Sequence, residues 1–191
     1  TSQIEASNTQ LRREISHPNA SKEQISAILK KECAFWTHLE AKSQECLIIA
    51  ERDLNLPFCV DLEDFSGCVL NIHGAIVIEL ELAIYQPVIA KAKRLGGDLT
   101  GFEEVFRRRE GGIGFSLGAF ASAIARPEFD SLSIVNFTDK PSRQVSKKLR
   151  SLNATRNRAA HTGGISLKEA RAFRQGAFEI LELFIEAKAG E

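Results

Sequence analysis

The sequence predicts an all-α fold. Apolar residues recur at spacings of three and four along most of the 191-residue chain, which is the period of an amphipathic helix. Three Ser-x-x-Glu/Gln patterns, which begin at Ser2, Ser21 and Ser166, have the form of helix N-terminal capping boxes. The length suits one domain with one core, so we expect a single helical domain over residues 1–191.

The capping boxes at Ser2 and Ser21 predict the first two helices. The first should end before Pro18, because proline cannot continue a helix. After Ser21, helical spacing continues as far as Ala50 and predicts one helix of about 30 residues. Its apolar stripe consists of Ile25, Ile28, Leu29, Phe35, Trp36, Leu39, Cys46, Leu47 and Ala50.

Two further helices are predicted in the middle of the chain. After a break at Asn55-Leu56-Pro57, an apolar helix spans about residues 66–95. Pro87 lies inside this helix and should kink it. A short apolar helix, Phe115–Ile124, precedes a connector that leads to the C-terminal helices.

The chain has no net charge, but its charges are unevenly distributed. Residues 140–174 contain ten Lys or Arg residues and one acid, Glu169, which predicts a polyanion-binding face on an acidic body. The alternative is a basic face that pairs with an acidic partner surface. A second basic run, Arg107-Arg108-Arg109, lies in a glycine-rich segment. We interpret it as a solvated surface run, and the alternative is a mobile basic loop that contacts RNA.

The sequence disfavours several kinds of site and location. It contains no C-x-x-C, H-x3-H or H-E-x-x-H pattern, so we expect free thiols in a reducing cytosol and neither a metal nor another cofactor. His38 and His73 are interpreted as packing residues. No signal peptide and no apolar run near the roughly 18 residues of a membrane span is apparent, so we expect a cytoplasmic protein without membrane contact. Because the chain begins at Thr1 and contains no Met, we expect a fragment of a larger protein.

The helix expected after Pro141 separates apolar from basic residues at 100° per residue. Its core face should consist of Val145, Leu149, Leu152 and Ala159. The cations on another face are the expected RNA-binding residues, and we call them the basic stripe: Arg143, Lys147, Arg150 and Arg158. The sequence Thr162-Gly163-Gly164 predicts that this helix ends near Ala160, and the Ser166 capping box then begins a closing helix.

The same helix contains an Arg-Asn-x-x-x-His motif, formed by Arg156, Asn157 and His161. From the numbers of these residues in the chain, chance predicts the motif roughly 0.01 times. Arginine is a fixed cation that can neutralise a phosphorane, and histidine carries a proton near neutral pH. These residue types are the ones that metal-free RNA cleavage needs. Asn157 is four residues before His161 on the same face, so we expect its amide to hold the imidazole in one tautomer or to contact phosphate.

One straight helix cannot direct both Arg156 and His161 at a single phosphate, because they differ by about 140° around its axis. Arg156 also lies toward the apolar face, where a guanidinium is costly without a partner. Either the helix ends near Ala160 or two protomers combine their motifs. In a purely structural alternative, Asn157 and His161 cap the helix end and Arg156 forms an internal ion pair.

The segment that carries Arg156, Asn157 and His161 resembles the signature of the HEPN superfamily. Its members are small helical bundles, and many are metal-independent endoribonucleases. The resemblance covers about residues 140–188, which implies a HEPN-like helical bundle with additional N-terminal helices. In the family, the Arg and His of two protomers meet across a two-fold axis. A subgroup paired with nucleotidyltransferase antitoxins has a tyrosine two residues after the histidine; this chain has Gly163 there, so regulation through that tyrosine is not expected.

The resemblance implies a homodimeric endoribonuclease that acts on RNA through Arg156, Asn157 and His161. The expected products are a 2′,3′-cyclic phosphate and a 5′-OH end. The implied setting is a toxin or an antiviral-defence module, with an antitoxin or other domains of a larger chain as further partners. The alternative is a non-catalytic HEPN domain that binds nucleotide or serves as a dimerisation module.

Overall fold

The computed structural model describes residues 20–55, 64–87, 117–125, 137 and 142–189. Within these ranges the chain forms helices and no strand, which confirms the predicted all-α fold. The α-helices are α1 (Lys22–Glu32), α2 (Ala41–Asn55), α3 (Ser66–Leu80), α4 (Leu117–Ile124), α5 (Ser142–His161) and α6 (Leu167–Ala189). The helix predicted after Ser2, the Arg107-Arg108-Arg109 run and Cys59 lie outside the described residues.

The chain divides into two compact units. The first unit consists of Thr1–Ala75 and Thr155–Phe178, and the second of Ile76–Ala154 and Glu179–Glu191. Helices α3, α5 and α6 each contribute residues to both units. That residues 1–191 form a single domain stays a prediction.

The capping box predicted at Ser21 begins α1. The Ser21 hydroxyl accepts a hydrogen bond from the Gln24 backbone N–H at 3.3 Å, and the Gln24 side-chain oxygen accepts one from the Ser21 N–H at 2.8 Å. These two bonds satisfy N–H groups that have no partner inside the helix. Lys22 then pairs with Glu45 of α2 at 2.8 Å across the first unit.

The prediction of one helix of about 30 residues is wrong, because the chain turns between α1 and α2. Cys33 is extended, with φ −120° and ψ 105°, and a short 3-10 helix, Trp36–His38, follows. Trp36 and Leu39 are buried in this turn, so they keep helical spacing without belonging to a continuous helix. The Gln44 side-chain amide donates to the carbonyl oxygens of Trp36 (2.9 Å) and Leu39 (3.3 Å), which satisfies backbone groups in the turn.

Helix α3 begins at Ser66 as predicted and is strongly apolar. Its 18-residue window Ser66–Ala83 has a mean hydropathy of 1.3, so by length and composition it is long enough to cross a membrane. This corrects the expectation that no apolar run approaches that length. Half of the window is buried inside the protein, as in an ordinary core helix, so the window is weak evidence for a membrane span.

The end of this apolar helix carries the distortion expected near Pro87. A π-helical turn, Glu81–Tyr85, follows α3 directly, and the Gln86 N–H donates to the Glu81 carbonyl. Proline has no N–H, and its ring collides with the carbonyl of the residue four positions earlier. The structure thus has a wider, π-helical turn immediately before Pro87, where the sequence predicts a kink.

Each unit buries its own set of apolar side chains. Those of the first unit include Ile25, Leu29, Trp36, Leu47, Leu54, Val69, Ile72, Ile165, Phe173 and Ala177. Those of the second include Ile76, Leu80, Leu117, Phe120, Ile124, Val145, Leu149, Ile180, Leu181 and Phe184. Each fully buried Leu, Ile or Phe stabilises its unit by about 1.5–3 kcal/mol. In the second unit the buried Ser146 hydroxyl donates to the Ala121 carbonyl at 2.5 Å, which joins α5 to α4.

Candidate functional site

Helix α5 has the two faces that its sequence predicts. The core-face residues are all buried: Val145, Leu149, Leu152 and Ala159. The residues of the basic stripe are all exposed: Arg143, Lys147, Arg150 and Arg158. The first three belong to the second unit, whereas Arg158 belongs to the first unit together with the Arg-Asn-x-x-x-His motif.

The C-terminal end of α5 is closed by the backbone. The Arg158 carbonyl accepts hydrogen bonds from the backbone N–H of Thr162 at 2.9 Å and of Gly163 at 3.1 Å. Gly163 and Gly164 have φ values of 65° and 73°, which glycine adopts without a steric penalty. The helix therefore stops at His161, one residue beyond the predicted end, and needs no cap from the motif side chains.

The start of α3 holds the loop that follows α5. The Asp64 carboxylate accepts hydrogen bonds from the Ser66 hydroxyl (2.6 Å), the Ser66 N–H (3.0 Å) and the Ile165 N–H (3.0 Å). The Phe65 N–H donates to the Ile165 carbonyl at 2.8 Å. These hydrogen bonds, that of the Ser66 hydroxyl first, hold the pKa of Asp64 below its ordinary value. The end of α5 is thus fixed against the beginning of α3 within the first unit.

Arg156 is half-buried, as its position toward the apolar side of α5 predicts. Its Nη1 donates to the Asn157 side-chain oxygen at 3.1 Å, whereas its Nε is buried and has no hydrogen-bond partner. Arg156 forms no salt bridge with any carboxylate that the structure describes. The internal ion pair of the structural alternative is therefore not formed among these residues. A buried N–H without an acceptor costs about 1–3 kcal/mol.

A second histidine, His73 of α3, is affected by the positive charge of Arg156. His73 is half-buried, and burial together with the nearby positive charge of Arg156 lowers its pKa to about 4. Its imidazole is therefore neutral at pH 7, and it makes no hydrogen bond in the described part of the chain. The local pattern around His73 is that of a packing residue and contains no sign of Arg156, which is distant in sequence. His38, which was also predicted to pack, is exposed.

His161 and Asn157 are both exposed, and the predicted bond between them is not formed. The Asn157 side-chain oxygen accepts from Arg156 instead, and His161 has no hydrogen-bond partner within the described ranges. The reason is that the charged guanidinium of the adjacent residue is the stronger donor. In this structure Asn157 orients Arg156, and the role of Asn157 toward the imidazole of His161 stays a prediction.

Ion pairs reduce the positive charge of the basic segment 140–174. Arg158 Nη2 lies 2.5 Å from Glu169 Oε1. Glu169 also completes the predicted capping box of α6, because its other oxygen accepts from the Ser166 N–H at 2.9 Å. In the second unit Lys148 pairs with Glu179. Among the residues that the structure describes, three cations of the basic stripe have no carboxylate partner: Arg143, Lys147 and Arg150.

Arg174 does not belong to a basic face, contrary to its place in the basic segment. Its guanidinium lies 2.6 Å from Glu51 and 3.1 Å from Glu32, and 4.2 Å from the centre of the Phe178 ring. Burial alone would lower the pKa of Arg174, but the two carboxylates raise it above its ordinary value. Arg174 is the counter-ion of a buried acidic cluster in the first unit, which no local sequence pattern reveals.

The part of the chain that the structure describes contains no group of three or more His, Cys, Asp or Glu residues able to hold a metal ion. Cys33, Cys46 and Cys68 form no disulfide within the described part of the chain. Cys33 and Cys68 are buried, and desolvation raises the pKa of the half-buried Cys46.

Comparison of the chain with models of known protein families, with curated proteins and with solved structures finds no match.

Proposed function

We propose that the first unit carries the active site of a metal-independent endoribonuclease of the HEPN type. The observation that carries the proposal is Arg156: a half-buried guanidinium with an unpartnered Nε, one hydrogen bond to Asn157, and no carboxylate partner among the described residues. A phosphate group would supply both the missing acceptor and the missing counter-charge. Arginine suits this role because its planar set of donors matches phosphate oxygens.

The proposed reaction is attack of an RNA 2′-oxygen on the adjacent phosphorus, with cleavage of the bond from phosphorus to the 5′-oxygen. His161 takes the proton of the 2′-OH or delivers one to the leaving 5′-oxygen. Arg156 stabilises the charge on pentacoordinate phosphorus, and Asn157 holds the guanidinium in place. The products are a 2′,3′-cyclic phosphate and a 5′-OH end, and the reaction requires no metal.

A second copy of the chain would complete the site. His161 lies about 140° around α5 from Arg156 and about 7.5 Å farther along the helix axis. His161 is also exposed, so it is available to a partner protomer. In a two-fold dimer, the His161 of one chain would reach the phosphate that Arg156 of the other chain binds.

Single-stranded RNA is the proposed substrate. Its phosphates would contact the exposed cations Arg143, Lys147 and Arg150, whereas Glu169 partly neutralises Arg158 and weakens its contribution. By its resemblance, such an enzyme would act in a cytoplasmic toxin or antiviral-defence setting. An antitoxin or further domains of a larger chain would then control it.

The test is cleavage of single-stranded RNA in the presence of EDTA. The parent should release 2′,3′-cyclic phosphate ends, and Arg156→Ala and His161→Ala should each reduce cleavage to background without lowering the melting temperature. Matched controls are Arg171→Ala and His38→Ala, which change an exposed arginine and an exposed histidine of the same unit. Both controls should cleave at the parental rate. Activity that EDTA abolishes, or a fully active His161→Ala variant, would contradict the proposal.

A second candidate function is a non-catalytic module that binds nucleotide or mediates dimerisation. It is favoured by the hydrogen bond between Asn157 and Arg156 and by the absence of a hydrogen bond from His161 to either residue, since one chain does not assemble the catalytic pair. This candidate predicts a dimer that binds single-stranded RNA and leaves it intact with or without EDTA.

A further inference from the structure

The basic stripe and His161 lie on one exposed face of the same helix. Helix α5 is a single α-helix that contains no acidic residue. Arg143 and His161 are 18 residues apart. This separation is about five full turns of 3.6 residues, so the two side chains leave the helix on the same side. Lys147 and Arg150 lie within about 40° of this side, and all four residues are exposed. His161 is therefore in line with the basic stripe of its own chain.

The positions between Arg150 and His161 continue this face. Ala154 is small and exposed, and it lies about 20° from His161 around the helix axis. Arg158, the last cation of the basic stripe, is exposed as well, although its ion pair with Glu169 reduces its charge. A polyanion along the stripe thus reaches His161 of the same chain without passing an acidic side chain of α5.

Arg156 lies on a different side of α5 from the basic stripe. It is half-buried, and it lies about 140° from His161 around the helix axis. Its Nε is buried, and its Nη1 donates to the side-chain oxygen of Asn157, which lies between Arg156 and His161 around the axis. Arg156 and His161 share no hydrogen bond in the described part of the chain. An RNA strand on the stripe of one chain therefore meets the histidine of that chain and not its arginine.

We propose that each active site takes its basic stripe and its His161 from one chain and its Arg156 from a second copy. The RNA strand lies along α5 of the chain that supplies the histidine, and the arginine of the other chain binds the scissile phosphate. This inference rests on the proposed function, because it assigns the chains within that two-protomer site.

This arrangement sets the length of RNA that the enzyme recognises. Arg150 and Arg143 are 11 and 18 residues before His161. At 1.5 Å per residue they lie about 17 and 27 Å from it along α5. At about 3.4 Å per phosphate, as in one strand of a duplex, the stripe spans roughly five to eight nucleotides. The contacts lie on one side of the scissile phosphate, so the substrate is a single strand that extends beyond the cleavage point in one direction.

The first experiment uses mixed dimers of two inactive chains, purified through two different affinity tags. One chain has Arg156→Ala and supplies the histidine, and the other has His161→Ala and supplies the arginine. Such a dimer contains one intact site of two, so it should cleave RNA at about half the parental rate. The charge reversals Lys147→Glu and Arg150→Glu are then placed together in one chain or in the other.

The two placements should give unequal results. In the histidine-supplying chain, the reversal should raise the KM for single-stranded RNA about tenfold or more, because it repels the strand that enters the intact site. In the arginine-supplying chain the rise should be much smaller, because that stripe leads to the disabled histidine position. Both dimers contain the same substitutions, so a general loss of stability would not distinguish them. Equal effects, or a larger effect in the arginine-supplying chain, would overturn the inference.

The matched control reverses two exposed cations of α6 that lie outside the stripe, Lys168→Glu and Arg171→Glu, in the histidine-supplying chain. It changes the charge by the same amount, and it should raise the KM far less than reversal of the stripe does. A rise as large as that of the stripe would show that net charge, and not the path along α5, determines binding. The inference would then be wrong.

The second experiment shortens the RNA from either end of a substrate with one cleavage point. For the parent, removal of the last five to eight or so nucleotides should raise the KM at one end only. A homodimer with Lys147→Glu and Arg150→Glu should lose this dependence on length. Equal dependence on both ends, or a dependence that the reversal leaves unchanged, would contradict the proposed path.

Cleavage by the parent separates this inference from the proposed function. If the parent cleaves RNA in EDTA and the reversal acts equally in both chains, the endoribonuclease stands and the assignment of the stripe fails. If the parent cleaves RNA and the mixed dimer of Arg156→Ala and His161→Ala chains does not, the site is not shared between chains and this inference fails alone. If the parent never cleaves RNA, the proposed function fails, and the assignment of chains fails with it.

Discussion

Replacement by methionine should have opposite effects at two arginines of the first unit. At Arg174 it removes the counter-ion of two carboxylates whose side chains are only 5 % (Glu51) and 14 % (Glu32) exposed. An unpaired buried charge of this kind costs about 3–5 kcal/mol of unfolding free energy. At Arg156 the change removes an unpartnered buried N–H, a gain of about 1–3 kcal/mol, and one exposed hydrogen bond to Asn157, a loss of about 0.5–1.5 kcal/mol. Arg156→Met should therefore stabilise the protein by about 1 kcal/mol.

The single tryptophan offers a local probe for this comparison, because Trp36 is buried in the unit that contains both arginines. Urea denaturation at pH 7, followed by Trp36 fluorescence, should show a midpoint above the parental value for Arg156→Met and far below it for Arg174→Met. An unchanged slope would show that only stability has changed. In thermal scans, each kcal/mol corresponds to about 2–4 °C for a chain of this size.

The exposed Arg171 is the matched control, and its replacement by methionine should change stability by less than about 0.5 kcal/mol. If Arg156→Met were destabilising by more than about 1 kcal/mol, the Arg156 guanidinium would have an internal acceptor after all. The physical basis for a phosphate at Arg156 would then be lost. A neutral Arg174→Met would show that the buried acidic cluster does not depend on its arginine.

Four further results are expected. Charge reversal of Lys147 and Arg150 should weaken binding to all single-stranded RNA sequences alike. It should also flatten the plot of log K against log salt, whose slope is about −0.7 for each phosphate neutralised. An unchanged slope would show that these two cations do not contact RNA. Gly163→Ala should lower the melting temperature, because φ is +65° and the new Cβ would lie 3.3 Å from an Asp64 oxygen; a parental melting temperature would contradict this account of the turn. Asp64→Asn should lower stability at pH 7, because the carboxyl pKa of Asp64 is lower in the folded than in the unfolded chain. The carboxylate stabilises the fold above its unfolded-state pKa, and this contribution is lost as the pH falls through its folded-state pKa. Identical acid profiles of parent and variant would contradict this account. Light scattering should give twice the 21.1 kDa chain mass, and a strict monomer would remove the two-protomer site.

The features that the sequence predicts correctly are local ones. The capping boxes at Ser21 and Ser166 depend on residues three positions apart, and both form the expected hydrogen bonds. The core face of α5 follows from the helical period alone, because burial repeats with that period. The end of α5 is also local, since glycine at Gly163 permits a backbone conformation that other residues resist.

The features that the sequence does not predict depend on pairing between distant segments. The helical spacing of apolar residues continues through the turn at Trp36, because Trp36 is buried whether the chain turns there or continues as one helix. Periodicity alone therefore cannot reveal the break. From the sequence alone, Arg174 is one more cation of the basic segment. Its two carboxylate partners lie on α1 and α2, far from Arg174 in the sequence. The effect of the Arg156 charge on the pKa of His73 joins two residues that are far apart in the sequence, and no local pattern reveals it.

The lowered pKa of His73 makes a prediction about acid stability that needs no assay of function. Between about pH 6.5 and about pH 4, the unfolded chain binds a proton at His73 and the folded chain does not, so folding stability must decrease as pH falls through this range. The full shift corresponds to at most about 3 kcal/mol. Carboxylates such as Asp64 titrate mainly below this window and cancel when the parent is compared with His73→Phe. The urea midpoint of the variant, followed by Trp36 fluorescence, should therefore fall less steeply with acid than that of the parent. Parallel curves for parent and variant would mean that His73 is not held neutral by burial and Arg156.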